Sequence, residues 1–182
     1  MSMNIQAPYQ LLFASNEQEA NKLQQYIQRE YSREFNATIP HFLPHLLGLY
    51  RADGALVGAC GLNRGDAGEL YLERYLDAPI EAVIATQTGH SVLRDRLVEI
   101  GNFACSESGN ARIMFAAICR LLCENQLDYV VFTGTQKLRN IFHRLNLKPL
   151  ELAPALANRL GEDALAWGEY YQSQPCVMVG DL

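Results

Sequence analysis

The chain has 182 residues and a formal net charge of −5, with 49% hydrophobic and 19% charged residues. A chain of this length buries roughly 70% of its unfolded surface, so it folds without disulfides or metal, and its composition excludes a disordered or coiled-coil chain. The acidic balance excludes a general nucleic-acid binder, whose field must be basic to meet phosphates.

Tyr9 to Ala14 reads as a strand. Ser15 and Gln18 then form a capping box ahead of a helix that places Leu23, Ile27 and Tyr31 on one face and ends near Phe35. Asn36 to Pro44 carries two prolines and reads as irregular. Two strand-like runs flank Asp53-Gly54, a strong hairpin signal. Leu70 to Leu72 reads as a continuation of the sheet, and Asp77 to Thr86 as a helix with Pro79 in its first turn and Asp77 as N-cap. Arg96 to Cys105 reads as a central strand, followed by a small polar loop from Ser106 to Asn110.

Ala111 to Asn125 is apolar almost all round, which predicts a helix buried between layers. Leu127 to Thr133 reads as a strand, Gln136 to Leu145 as an amphipathic helix, and Leu147 to Leu150 as extended. Ala164 to Tyr171 reads as helical and Cys176 to Val179 as a last strand. This order gives an α/β fold, a mixed sheet with helices on both faces. No repeat, low-complexity segment or long linker divides the chain, so residues 1–182 are read as one domain.

The five cysteines lack C-x-x-C spacing and read as neither a disulfide framework nor a zinc site. Cys119 and Cys123 read as small buried hydrophobes. Reduced thiols place the protein in the cytoplasm. No signal peptide or transmembrane segment is expected.

The segments His41 to Tyr50, Leu72 to Glu81, Val98 to Ala104, Val130 to Leu150 and Trp167 to Tyr171 resemble the thermostable hemolysin family. The resemblance runs from about His41 to the C-terminus. It implies a GNAT-like (acyl-CoA N-acyltransferase) fold with a mostly antiparallel central sheet. The strand around Val98 to Ile100 also resembles the corresponding strand of acyl-homoserine-lactone synthases, which share that fold.

The resemblance implies an acyl-CoA or acyl-carrier-protein thioester as donor, a small-molecule amine as acceptor and no metal. In such folds the strand before the buried helix splays from its neighbour and offers its backbone to the pantetheine arm. The following loop and helix N-terminus receive the pyrophosphate. Here that assigns donor binding to Ile100, Gly101, Asn102 and Phe103 on the strand and to Ser108, Gly109, Asn110 and Ala111 after it. The usual Arg/Gln-x-x-Gly-x-Gly/Ala loop is replaced by Ser106-Glu107-Ser108-Gly109-Asn110-Ala111, and Phe142 stands where many such enzymes carry a proton-donating tyrosine.

Glu99 is the sharpest catalytic candidate. It reads either as a desolvated general base or as a solvent-facing position on an alternating strand, and the resemblance favours the base. His41 is a second candidate base, while His45 reads as a loop histidine. Glu73 and Asp77 bind a cationic amine if they share a helical face. Lys137, Arg139, Asn140, His143, Arg144 and Lys148 form the one basic cluster, suited to CoA phosphates or an acidic carrier protein, or simply a solvated helix face. Arg139 and Asn140 are assigned to the donor. Trp167, Tyr170 and Tyr171 close an acyl pocket or pack as ordinary core aromatics. Three functions compete: an acyltransferase, a membrane-active hemolysin, and a non-catalytic acyl-thioester-binding protein.

Overall fold

Turn and cap chemistry divide the described residues into eight strands and four helices of nine residues or more. The computed structural model describes the backbone of residues 2–6 and the whole of residues 9–182. The elements are β1 (Ser2–Gln6), β2 (Tyr9–Phe13), α1 (Glu17–Phe35), β3 (His45–Arg51), β4 (Leu56–Arg64), α2 (Ile80–Thr88), β5 (Leu97–Cys105), α3 (Ser108–Glu124), β6 (Tyr129–Gly134), α4 (Gln136–Arg144), β7 (Leu150–Pro154) and β8 (Cys176–Asp181). The strands form one sheet in the order β1-β2-β3-β4-β5-β6-β8-β7, antiparallel throughout except for the parallel pair β5–β6.

The β3–β4 hairpin forms where Asp53-Gly54 predicts it. Gly54 turns at φ +83°, open to a residue without Cβ, and Asp53 accepts the Ala55 N–H at 3.0 Å. The start of α1 lies one residue later than the Ser15 box. Asn16 is the N-cap and accepts from the Glu19 N–H, while the Glu19 carboxylate accepts from Ser15.

Leu70 to Leu72 does not extend the sheet; Tyr71–Tyr75 is a 3₁₀ turn. Asp77 does not cap α2. Its carboxylate pairs with Arg159 at 2.7 Å, and it is Glu73 that accepts the Ile80 N–H, at 2.7 Å. The helix expected over 164–171 is two short helical segments, Asp163–Ala166 and Tyr170–Ser173.

Two cores flank the sheet. On one face Leu23, Ile27 and Tyr31 of α1 and Ile80 and Ile84 of α2 cover Leu97, Val131 and Val177. On the other, Met114, Phe115 and Ile118 of α3 and Phe142 of α4 cover Val98, Ile100, Val130 and Phe132. Helix α3 is not buried between layers, since Arg112, Ala116, Arg120 and Cys123 are exposed along one side. Cys119 is half-buried and Cys123 exposed, so the reading of both as buried hydrophobes is corrected.

The segment after β7 is tied to the end of α1. Thr38 N–H donates to Ala166 O and Glu169 N–H to Phe35 O, both at 2.7 Å. Gly168 makes this crossing possible: its φ is +55°, and a Cβ there would lie 2.4 Å from the carbonyl oxygens of Phe35 and Asn36. We expect Gly168→Ala to cost about 3 kcal/mol through backbone strain and overpacking, measured as a lower urea midpoint at unchanged slope.

Candidate active site

The parallel ladder between β5 and β6 pairs Leu97–Ile100 with Tyr129–Phe132 and stops there. Beyond it β5 stays paired with β4 as far as Cys105, and β6 stays paired with β8 as far as Gly134. The two strands therefore part, and the sheet opens between them.

A bulge in β5 marks the point of divergence. The β4–β5 register shifts between Ala59 and Gly61, and Asn102 adopts φ +52°, a left-handed conformation that asparagine tolerates. The Asn102 amide then straps a loop across the strand: Oδ1 accepts the Leu43 N–H at 2.9 Å and Nδ2 donates to His41 O at 3.1 Å. Leu43 fits because Gly61 and Gly101 lack side chains; a Cβ would come within 2.7 and 2.8 Å of Leu43 atoms.

Two adjoining clefts occupy the opening. The first spans about 660 Å³, solvent at its mouth included, and reaches from His41, Tyr71 and Trp167 past Glu99 to Phe103 and Phe132. The second spans about 820 Å³, likewise open to solvent, between the end of α1, Cys105 to Ser108, Thr135 and the first turns of α4. Tyr31, Phe103, Thr133, Leu138 and Tyr170 line both. Neither the Tyr31 nor the Tyr170 hydroxyl has a hydrogen-bond partner among the described residues. Burial raises the pKa of both phenols, which keeps them as donors.

Glu99 stands at the apex of the opening and is 3% exposed. Its Oε2 accepts the Tyr71 N–H at 2.9 Å and its Oε1 the Leu72 N–H at 3.0 Å. A carboxylate has about four acceptor directions, so both oxygens keep a lone pair for a further donor. Burial pushes its pKa up to about 7 against the pull of those two N–H groups, with a smaller rise from the negative charge of Glu73.

The Tyr71–Tyr75 turn that supplies these N–H groups is itself clasped. Glu73 accepts from the Leu70 and Ile80 N–H groups, each at 2.7 Å, and pairs with Arg94 at 2.7 Å. Arg94 also pairs with Glu81 at 2.6 Å and donates to the carbonyls of Gly65 and Gly68. Burial alone would raise Glu73, but Arg94 and the two backbone N–H groups outweigh it and hold its pKa below the usual value. Glu73 is thus an anchor inside the protein rather than an exposed partner of Asp77.

Of the residues singled out in the sequence, the structure brings His41, Glu99, Ile100, Gly101, Asn102 and Phe103 to the first cleft together with Trp167 and Tyr170. Ser108 and Ala111 line the second. Gly109, Asn110, Arg139 and Asn140 line neither. Asn110 Oδ1 accepts from the Tyr9 hydroxyl at 3.4 Å, Arg139 turns to Glu151 at 2.9 Å and the Gln174 carbonyl at 3.0 Å, and Asn140 is exposed. Tyr171 meets the Tyr75 hydroxyl at 2.6 Å instead of closing the cleft, and His45 opens β3 as an exposed residue.

Sequence reasoning missed Tyr31, Tyr71 and Tyr75 as cleft residues. Tyr31 carries the signature of a core-facing helix position, and the 3₁₀ turn has no periodic signal of its own.

Comparison with solved structures identifies the fold. An N-acyl amino acid synthase from uncultured soil microbes, FeeM, superposes with a TM-score of 0.62 at 15% identity, covering 97% of this chain and 90% of its own. The AHL synthase LasI gives 0.62 at 10%, covering 95% and 88%. The CoA-dependent acyl-homoserine lactone synthase MesI gives 0.59 at 16%, covering 94% and 88%. The fold is the GNAT-like one that the resemblance implies.

The chain itself belongs to the thermostable hemolysin family, whose model matches residues 13–182. No curated protein matches it in sequence. Among the described residues no helix is long and apolar enough to cross a membrane.

The Glu99 environment predicts a pH signature. Unfolding returns this carboxyl from about 7 to an ordinary value near 4.5. The folded state therefore holds the proton more tightly, and the contribution of Glu99 to stability falls as pH rises from about 4.5 through about 7, by about 3 kcal/mol in all. Glu99→Gln, neutral throughout, removes this dependence. Urea denaturation at a series of pH values should show the stability of the natural protein, relative to that variant, declining across this window.

Proposed function

We propose that this chain is an N-acyltransferase, acting as a single cytoplasmic domain over residues 1–182, that moves an acyl group from a thioester to a small-molecule amine. The observation that carries the reading is the opening between β5 and β6 with a buried carboxyl, Glu99, at its apex.

Beyond Ile100, β5 no longer pairs with β6, so that side of its backbone is available to a pantetheine arm lying between the strands. The arm would follow the second cleft toward Ser106 and Ser108, where α3 begins. Among the described residues the N–H groups of Glu107, Ser108, Gly109 and Asn110 have no protein acceptor, and the helix dipole favours an anion there. The donor is acyl-CoA or an acyl carrier protein. Arg144 and Lys148, exposed and without an ion pair among the described residues, offer the charge to meet an acidic carrier.

In the reaction, the Glu99 carboxylate takes a proton from the ammonium form of the acceptor. The freed nitrogen lone pair forms the C–N bond at the thioester carbonyl carbon, collapse of the tetrahedral adduct breaks the C–S bond, and the second proton given up by the adduct nitrogen neutralises the leaving thiolate. Phe142 cannot protonate it: this ring is packed against Phe115 and Phe132, with centroids 4.6 and 5.2 Å away. Tyr31 and Tyr170, which line both clefts, are the proposed donors to the sulfur. His41, stacked on Tyr71 at 5.1 Å, stands by as the second candidate base.

Release of free thiol from acyl-CoA or acyl carrier protein in the presence of a primary amine tests the reading. We expect Glu99→Gln to lower kcat by at least about 100-fold. The rate of the natural protein should rise with pH through about 7 as Glu99 ionises. Retention of full activity in Glu99→Gln, with loss in His41→Ala, would move the base to His41.

A further inference from the structure

The chemistry of the first cleft wall speaks to the acceptor. His41 stacks on Tyr71 with ring planes 5° apart, Tyr71 meets Trp167 at 6.4 Å, and Trp167 meets Tyr170 at 5.2 Å. Against this ring surface, among the described residues, Glu99 is the one carboxyl lining the cleft, and no lysine or arginine lines it. The guanidinium nearest the wall, Arg74, lies 5.2 Å from the Tyr71 ring and is spent on Asp163 at 2.8 Å and the Leu160 carbonyl at 3.1 Å. The amide of Asn102 is likewise spent on Leu43 and His41.

Such a site suits an ammonium beside a carboxylate, with an apolar body against aromatic faces. It offers no lysine or arginine to a second, negative group, and its one imidazole, His41, is stacked flat against Tyr71. An α-amino acid would place its own carboxylate one carbon away from the nitrogen that must approach Glu99. That carboxylate would be desolvated, unpaired by any lysine or arginine and close to a like charge.

Resting on the acyltransferase reading, we infer that the acceptor is an arylalkylamine, a primary amine on an uncharged aromatic body, and that α-amino acids are excluded. The wall selects the rings and the charge balance rejects the carboxylate. This separates the site from that of the N-acyl amino acid synthase with which it shares a fold.

The test compares 2-phenylethylamine, L-phenylalanine and L-phenylalanine methyl ester, which has the bulk of the amino acid without its negative charge. Binding is measured by calorimetry at a pH of about 8, where Glu99 is ionised. Thiol release is measured with one acyl-CoA series. The amine and the ester should bind at least about 100-fold more tightly than the amino acid. Equal or tighter binding of L-phenylalanine, an ester no better than the acid, or no binding of any of the three overturns the inference. Turnover with L-phenylalanine preferred overturns it while leaving acyltransfer intact. The expected binding order without thiol release from any acyl-CoA or acyl carrier protein upholds the amine selectivity and overturns acyltransfer.

Discussion

The four-pair ladder between β5 and β6 is the constraint from which the rest of the site follows. Two parallel strands with free backbone groups would ordinarily continue to pair, because unpaired buried N–H and C=O groups are costly. Here each strand satisfies its other edge, through β4 and β8, and the inner edges are left unpaired. The bulge at Asn102 and the Leu43 strap fix the point of divergence. Phe103 and Phe132, both in ring contact with Phe115, then keep apolar surface rather than backbone at the mouth of the gap.

Glu99 couples this opening to the loop above it. Its two backbone partners belong to a turn that Arg94 and Glu73 hold by a network of their own. A carboxyl held in place by N–H groups would normally be a strong acid. Burial reverses the sign, and the outcome near 7 leaves the group able to take and return a proton near neutral pH. One side chain thus anchors the wall and, in the proposed reaction, takes the proton.

The strands and helices around the clefts were legible because their signals are local. Asp53-Gly54 fixes a hairpin, the run Arg96 to Cys105 a strand, and the amphipathic run from Gln136 a helix, whose cap, Thr135 accepting the Leu138 N–H, only the structure shows. Glu99 stood out because a charge in the middle of an apolar strand needs an explanation. What stayed hidden depends on long-range geometry. That Tyr71 and Leu72 would donate to Glu99, that Arg139 would turn to Glu151, and that Glu73 rather than Asp77 would cap α2 all follow from how loops cross the sheet. The 3₁₀ segments were misread because so short a turn shows neither helical nor strand periodicity.

The three ring-bearing connectors around the first cleft are each fastened through groups other than their rings: the His41 loop by Asn102, the Tyr71 turn through Glu73 and Arg94, and the Trp167 segment by backbone bonds to the end of α1. Rim and framework are therefore separable. A ring can be exchanged on one connector while the clasps of the other two, and the strand that bears the carboxyl, stay as they are. A scaffold so arranged can change what its first cleft accepts in small heritable steps, without rebuilding the strand that bears Glu99.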